Sequence, residues 1–156
     1  MSHVPVVYVE TSVFIALIAS EAGRVDFCRS ALKEGEIGSS SLQTSAFTIA
    51  EVVRAPGGNL PAAAEATIKD FFRHSWLHVL DVTPAVASKA REVARDHALK
   101  PPDAVHVATA LACGATHLLS YDLKILSVRL AGLVVSQPGG QGALPLIASA
   151  GARAKA

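Results

Sequence analysis

The sequence predicts an α/β fold: a three-layer α/β/α sandwich in which helices cover both faces of a mostly parallel central sheet. Three observations support this class. Short apolar runs alternate along the chain with longer helical patterns, as they do when each strand is followed by a crossover helix. The runs are apolar almost throughout, which is typical of strands buried on both faces. Hydrophobic residues make up 51% of the 156 residues, enough for the core of one domain.

Five segments are predicted to be strands. The first, residues 4–9, is the clearest, because it is a Val-rich run with Pro5 near its start, where a strand tolerates proline. Residues 37–41 are a weaker prediction. The other three are apolar runs between turn residues, at residues 76–80, 116–120 and 133–135.

Helices are predicted between these strands from their capping residues. Thr11 or Ser12 can cap a first helix that ends at Ile18. A second helix is predicted over residues 23–33, with Gly35 just past its end. The next two, over residues 45–54 and 62–72, are separated by the break "APGGNLP" at residues 55–61.

The later helices begin with prolines. Thr83 caps a helix that starts at Pro84, a favoured first position, and runs to about residue 98. Pro101 and Pro102 open another helix, which ends near Cys113. One or two helical turns are predicted over residues 123–130. We expect residues 1–136 to form the domain and residues 137–156, rich in Gly, Ala and Pro, to form a flexible tail.

Composition excludes several classes of protein. The 14 basic and 13 acidic residues give a net charge of +1, which is no sign of a nucleic-acid partner but does not exclude a local basic patch. No apolar run approaches the roughly 18 residues that span a bilayer. The N-terminus lacks a basic segment, and Glu10 interrupts its apolar stretch. Cys28 and Cys113 match no metal or redox spacing. We therefore expect a cytoplasmic protein with no membrane contact.

Four acidic residues lie where a solvated surface position explains them poorly. Glu10 and Asp122 follow strands, Asp103 lies in the first turn of a helix, and Glu51 lies among apolar helix residues. Three have an ordinary structural alternative: the helix dipole for Asp103, a turn or cap for Asp122, and pairing with Arg54 for Glu51. Glu10 has the weakest alternative, because it follows a core strand and precedes an apolar helix.

Taken together, the four acids predict a metal site. The carboxyl ends of neighbouring parallel strands meet at one edge of a sheet, where ligands bind. Carboxylates about 4 to 6 Å apart raise one another's pKa values, and a divalent cation relieves that repulsion. Oxygen ligands without a Cys or His cluster suit Mg²⁺ or Mn²⁺. Such a cation on carboxylates is typical of enzymes that act on phosphate esters.

Three segments carry a family resemblance: "VYVETSVFIALI" (residues 7–18), "TIAEVVR" (48–54) and "PPDAVHVATALACGATHLLSYD" (101–122). In this order they resemble a PIN domain and, more narrowly, the ribonuclease toxins of VapBC-type toxin–antitoxin modules. The resemblance covers about residues 4–136. It implies Mg²⁺- or Mn²⁺-dependent cleavage of RNA, a small antitoxin that blocks the active site, and a homodimer.

The resemblance also implies roles for particular residues. The positions of the family's catalytic and metal-binding acids fall on Glu10, Glu51, Asp103 and Asp122. Ser120 matches a small hydroxyl position near the metal, and Thr11 and Ser12 match the polar pair that follows the first acid. We place Thr11, Ser12 and Ser120, with Arg54 and His106, among the candidate substrate-binding residues.

Two of these candidates have an ordinary alternative. His106 lies one helical turn beyond Asp103, where it can touch a substrate phosphate or orient a carboxylate; the alternative is a packed histidine in a buried helix. Arg54 lies one turn past Glu51 and can contact phosphate; the alternative is a helix-surface charge.

Glu10 departs from the family pattern, in which the first acid is typically Asp. The added methylene moves the carboxylate by about a bond length, which matters because Mg²⁺ demands near-ideal octahedral geometry. The alternative function is therefore a catalytically weakened PIN domain that binds RNA or a protein partner without efficient cleavage. A phosphatase of the haloacid dehalogenase type ranks last, because "ETSV" (residues 10–13) lacks a second acid two residues after the first.

Overall fold

Five parallel strands form the central sheet of the structure, a computed structural model that describes residues 3–140. The sheet order is β5-β2-β1-β6-β7, so β1 lies in the middle. All four neighbouring pairs in this sheet are parallel. β3 and β4 form a separate antiparallel hairpin. The strands are β1 (Val6–Val9), β2 (Ser41–Ser45), β3 (Arg54–Ala55), β4 (Gly58–Asn59), β5 (Leu77–Leu80), β6 (His117–Leu119) and β7 (Val134–Ser136).

Helices connect the strands of the sheet. A short 3₁₀ helix, Ala62–Ala64, precedes the fourth α-helix. No helix within residues 3–140 is long and apolar enough to cross a membrane. The α-helices are α1 (Thr11–Ile18), α2 (Val25–Glu36), α3 (Ala46–Glu51), α4 (Glu65–Phe71), α5 (Pro84–His97), α6 (Pro101–Ala112) and α7 (Leu123–Leu126).

The sheet separates two hydrophobic cores, which confirms the predicted three-layer α/β/α sandwich. On one face, Val7 and Val9 of β1 pack with residues of α1, α2 and α4. On the other face, Tyr8 of β1 packs with residues of α5, α6 and α7. Alternate residues of β1 therefore face opposite layers, as the pleat of a strand requires. β1 is nearly all apolar because both of its faces are buried.

The prediction of a strand over residues 37–41 is wrong. Ile37 follows α2 and is 51% exposed, and the strand is β2, four residues further on. Its sequence, SLQTS, is too polar to be recognised as a buried strand. Its fully buried Thr44 is accommodated because the hydroxyl donates a 2.8 Å hydrogen bond to the Val9 carbonyl oxygen of β1.

Several helix boundaries also differ from prediction. The N-cap of α1 is Glu10, and neither Thr11 nor Ser12 takes that position, because the Glu10 carboxylate accepts from the Ser12 N–H. The third helix ends at Glu51, and the hairpin of β3 and β4 takes up most of the predicted break. The predicted flexible tail starts at residue 137, and residues 141–156 of it lie outside the described part of the chain.

Gly35 lies inside α2, where the sequence predicted a glycine just past the helix end. The residue is buried, and its lack of a side chain lets the helix approach the sheet closely. A methyl carbon at Gly35 would lie 2.5 Å from Leu42 Cδ1 and 3.3 Å from Trp76 Cε3. These distances mean that a glycine is required for packing at this point of the helix.

We expect Gly35→Ala to lower the free energy of unfolding by about 1–3 kcal/mol, because overpacking outweighs the better helix propensity of alanine. Chemical denaturation would measure the loss. The control is the same substitution in a Leu42→Ala background, which removes both of the closest carbons, Leu42 Cδ1 and Cγ. An equal loss in both backgrounds would show that contact with Leu42 is not the cause.

Candidate functional site

The candidate site lies at the carboxyl ends of the central strands. Glu10 directly follows β1, and its N–H donates a 3.0 Å hydrogen bond to the carbonyl oxygen of Leu119, the last residue of β6. Glu51 ends α3, the helix that begins immediately after β2. Asp103 lies in the first turn of α6, and Asp122 caps α7 after β6. The parallel topology thus brings acids from four segments to one end of the sheet.

Glu10 is held by serine hydroxyls and by the start of α1. It is 6% exposed, and its Oε2 atom accepts hydrogen bonds from Ser12 N–H at 3.1 Å and from Ser120 Oγ at 2.8 Å. The Ser12 hydroxyl also donates to Oε2. The helix dipole stabilises the negative charge. All hydrogen bonds that this carboxylate accepts from residues 3–140 fall on Oε2, so Oε1 remains for another ligand.

Glu51 is fixed through a single oxygen atom. Its Oε1 accepts a 2.7 Å hydrogen bond from the Thr11 hydroxyl and lies 2.5 Å from His106 Nε2. Partial burial raises the pKa of the Glu51 carboxyl, but the hydrogen bonds from His106 and Thr11 lower it by more, so the net pKa falls below its usual value. Glu51 is therefore ionised at neutral pH.

Asp103 has the opposite electrostatic environment. Partial burial raises the pKa of its carboxyl, and the negative charges of Asp122 and Glu10 raise it further. Glu51 adds to the increase, and only His106 opposes it. The carboxylates of Asp122, Glu10 and Glu51 therefore lie close enough to Asp103 for their charges to act on it.

Asp122 has a structural role as well as an electrostatic one. Its Oδ1 atom accepts hydrogen bonds from the Lys124 N–H at 2.8 Å and the Ile125 N–H at 3.1 Å, as an N-cap does. Its own N–H donates a 2.9 Å hydrogen bond to Ser120 Oγ. The cap that sequence reasoning offered as an alternative for Asp122 is present, and it occupies one carboxylate oxygen.

The arrangement fits a divalent cation. One ligand atom each from Glu10, Glu51 and His106 lie within 4.8 Å of one another. Among the ion pairs of residues 3–140, none joins a Lys or Arg to Glu10, Asp103 or Asp122. Because these carboxylates lack a basic counter-ion, a cation with oxygen ligands suits the donor set. Both ring nitrogens of His106 are hydrogen-bonded within the protein, so the carboxylates are the better ligands.

The candidate substrate-binding residues separate into two groups. Three hydroxyl residues, Thr11, Ser12 and Ser120, lie at the site and bind the acids directly. His106 is also at the site but is 1% exposed, so its contact with Glu51 favours carboxylate orientation over phosphate contact. Arg54 is exposed in the hairpin, where its Nε donates a 3.0 Å hydrogen bond to Asn59 Oδ1. No hydrogen bond or ion pair within residues 3–140 joins Arg54 to the acids.

Sequence reasoning missed Tyr8. The residue is fully buried, and its hydroxyl lies 2.7 Å from His106 Nδ1. A signal was present, because a tyrosine in a core strand needs a partner for its hydroxyl. The identity of that partner could not be predicted, since His106 lies 98 residues away in the chain.

Comparison with known proteins identifies a family for most of the chain. The sequence profile of the PIN domain matches residues 7–130. Comparison with curated protein sequences gives no significant match. The sequence relation therefore rests on the profile, which covers all four acids and nearly all of the sheet except β7.

Solved structures agree in fold. A toxin–antitoxin complex from Klebsiella pneumoniae is 21% identical, with a TM-score of 0.59 over 82% of this chain and 95% of that one. VapC20 from Mycobacterium tuberculosis, a toxin that cleaves the sarcin–ricin loop, is 18% identical, with a TM-score of 0.59 over 76% and 92%. VapBC2 from Rickettsia felis, bound to a promoter DNA fragment, is 15% identical, with a TM-score of 0.63 over 85% and 98%. At these identities the likeness concerns the fold.

We expect Asp103→Asn to raise the thermal stability of the metal-free chain at pH 7 by less than about 1 kcal/mol, because the side chain is only partly buried and solvent screens the repulsion. The raised pKa means that the folded state binds the proton more tightly than the unfolded state. The loss of stability caused by ionised Asp103 is therefore complete when the pH is above the pKa of the folded state. It disappears as the pH falls below the ordinary aspartate pKa of the unfolded state.

Thermal unfolding at pH 7 and pH 4 would measure this difference. The matched control is Asp26→Asn. Asp26 is also a first-turn aspartate, but its carboxylate pairs with the Arg29 guanidinium. If Asp103→Asn loses as much stability as the control at pH 7, repulsion among the acids is not significant.

Proposed function

The chain belongs to the PIN domain family, and from that premise we propose that it is a divalent-metal-dependent endoribonuclease, the toxin of a toxin–antitoxin pair. The observation that carries the proposal is the group of Glu10, Glu51 and His106 at the carboxyl end of the sheet, whose ligand atoms lie within 4.8 Å of one another. Asp103 and Asp122 lie outside that group, and no ion pair within residues 3–140 joins a Lys or Arg to Glu10, Asp103 or Asp122. This charge distribution favours a hard cation and, with it, chemistry on a phosphodiester.

Glu10, Asp103 and Asp122 would hold one or two Mg²⁺ or Mn²⁺ ions, with Glu51 as a further ligand, either directly or through water. Such an ion supplies water activation and stabilises the charge that develops on the phosphate. The side chains around the acids orient the carboxylates. Ser12 and Ser120 orient the Glu10 carboxylate, which accepts both hydroxyls on Oε2. Thr11 and His106 orient Glu51 through Oε1.

Of the three hydroxyl residues proposed to bind substrate, Ser12 is partly exposed and is proposed to face the phosphate. Thr11 and Ser120 are buried, so we propose that they act on the substrate through the carboxylates to which they donate. Arg54 is proposed to contact RNA outside the acidic cluster. It is exposed in the hairpin that follows Glu51, and its guanidinium is bound to Asn59 through Nε.

A catalytically weakened domain is the second candidate, and Glu10 is the observation that favours it. Glutamate places its carboxylate about 1.5 Å further from the backbone than the usual aspartate. The hydrogen bonds of Ser12 and Ser120 support retention of the site, because they fix the longer side chain in one position. We therefore place active cleavage first and binding of RNA or a protein partner without cleavage second.

A small antitoxin that covers the acidic site and a homodimer are further parts of the proposal, as is a cytoplasmic location. The antitoxin is supported by the kind of structure to which the chain is similar: a toxin–antitoxin complex from Klebsiella pneumoniae and VapBC2 from Rickettsia felis. The sheet-end position of the acids gives the antitoxin a single surface to block.

We expect Glu51→Gln to reduce metal-dependent RNA cleavage by about 100-fold or more, since even the outer partners of a metal site are worth about 10- to 100-fold. Unfolding should change little, because the amide is nearly isosteric. Initial cleavage rates on a panel of structured and single-stranded RNAs would measure the effect. Glu92→Gln, an exposed glutamate of α5, is the matched control. Parental rates in Glu51→Gln would remove this residue from the mechanism.

We expect the parent chain to cut RNA with Mn²⁺ or Mg²⁺ and to stop in EDTA, and Glu10→Asp to cut under the same conditions. The reason is that Glu10 is held in place by three hydrogen bonds to Oε2. Cleavage by Glu10→Asp alone would establish that the parent is a weakened nuclease. Absence of cleavage by both, on a panel that includes ribosomal and transfer RNA, would contradict the nuclease proposal.

A further inference from the structure

We propose that Tyr8 and His106 are positioning residues for Glu51, joined in one hydrogen-bonded chain that fixes one carboxylate oxygen and leaves the other for the cation. The inference rests on the proposed function only in taking Glu51 as a metal ligand. It assigns a role to two buried side chains that neither touch the substrate nor belong to the four acids.

His106 is the middle member of this chain. It lies on α6, three residues beyond Asp103, and is 1% exposed. Its Nε2 atom is 2.5 Å from Glu51 Oε1, and its Nδ1 atom is 2.7 Å from the Tyr8 hydroxyl. Its ring also packs 5.8 Å from the ring of Phe47, measured between centroids. The imidazole is thus held on its edges by hydrogen bonds and beside its face by an aromatic ring.

The direction of each hydrogen bond follows from the chemistry of the groups that meet. A carboxylate oxygen accepts, and Oε1 of Glu51 lies 2.5 Å from His106 Nε2, so Nε2 carries the proton. Nδ1 is then the ring's acceptor, and the Tyr8 hydroxyl 2.7 Å away is its donor. Tyr8 therefore donates to Nδ1 of a neutral His106 in its Nε2–H form, and His106 donates to Glu51.

The helix that carries Glu51 is also tied to the sheet. The Thr48 hydroxyl, three residues before Glu51 on α3, lies 2.9 Å from the Thr44 hydroxyl of β2. Thr44 in turn lies 2.8 Å from the Val9 carbonyl oxygen of β1, the strand that carries Tyr8. Glu51 is positioned relative to the sheet and to the Asp103 helix, although α3 itself is only six residues long.

A role in metal binding explains this arrangement better than packing alone does. Buried polar side chains need partners, but this chain ends on a carboxylate that is 29% exposed and lies beside Glu10. Residues that hydrogen-bond a metal ligand orient it and tune its affinity, and their loss typically costs about 10- to 100-fold. The second oxygen of Glu51, Oε2, accepts no hydrogen bond from residues 3–140. It is therefore left for the cation.

The test measures Mn²⁺ affinity by calorimetry and RNA cleavage for Tyr8→Phe, His106→Leu and His106→Gln. We expect Tyr8→Phe and His106→Leu to weaken Mn²⁺ binding by about 10- to 100-fold. His106→Gln should recover part of the loss, because its amide can donate from near the Nε2 position. The matched control is Tyr121→Phe, which removes the hydroxyl of a buried tyrosine that contacts Cys28 and should keep parental affinity.

A second measurement tests the hydrogen bonds of His106 and needs no RNA cleavage. In the metal-free chain, long-range ¹H–¹⁵N spectra should show that the His106 ring carries its proton on Nε2. The His106 signal is assigned as the one that is missing in His106→Gln. Glu51→Gln should change that signal, and Tyr121→Phe should leave it unchanged.

The outcomes separate this inference from the nuclease proposal. Reduced Mn²⁺ affinity in Tyr8→Phe and His106→Leu, together with a parent chain that cuts no RNA, would support positioning and contradict the nuclease. Parental Mn²⁺ affinity in both variants would overturn positioning, whatever the RNA result. A parent chain that binds no Mn²⁺ would overturn both proposals.

Discussion

The close approach of acidic side chains at one end of a parallel sheet is the constraint on which the rest of the structure depends. Parallel topology brings Glu10, Glu51, Asp103 and Asp122 to this end, and their charges raise the pKa of Asp103. Such crowding lowers stability unless the charges are neutralised or a cation binds. The protein provides hydrogen-bond donors here and no Lys or Arg ion pair to Glu10, Asp103 or Asp122 within the described residues. It therefore keeps the negative charge in place.

Two acids are stabilised in the same way, by donors that bind only one of their oxygens. Oε2 of Glu10 accepts from Ser12 and Ser120, and Oε1 of Glu51 accepts from Thr11 and is paired with His106. A carboxylate held on one side is oriented without being saturated, which is the condition for binding a further ligand. Neighbouring residues in the chain supply these donors, since Thr11 and Ser12 directly follow Glu10. A short segment after β1 thus supports two acids from different parts of the chain.

The structure also accounts for the tolerance of polar residues in the core. Thr44, Thr48, Tyr8 and His106 are buried, and each makes a hydrogen bond to another member of the group or to the backbone. Unpaired, such groups would cost about 1–3 kcal/mol each. Tyr8 and His106 also connect to Glu51, so the interior below the acids is polar and its side chains have fixed partners. Stability of the core and geometry of the site are therefore coupled through the same side chains.

The sequence by itself determined the α/β class and the order of most elements, because alternating apolar runs and prolines at helix starts are local patterns. Residues 84–97 and 101–112 were predictable for this reason, since Pro84 and Pro101 mark where their helices begin. Only the tertiary structure decided the position of β2, whose polar residues can be buried because Thr44 bonds to Val9 of the neighbouring strand. It also decided the partners of His106, since Tyr8 and Glu51 lie 98 and 55 residues away and no local pattern specifies such contacts.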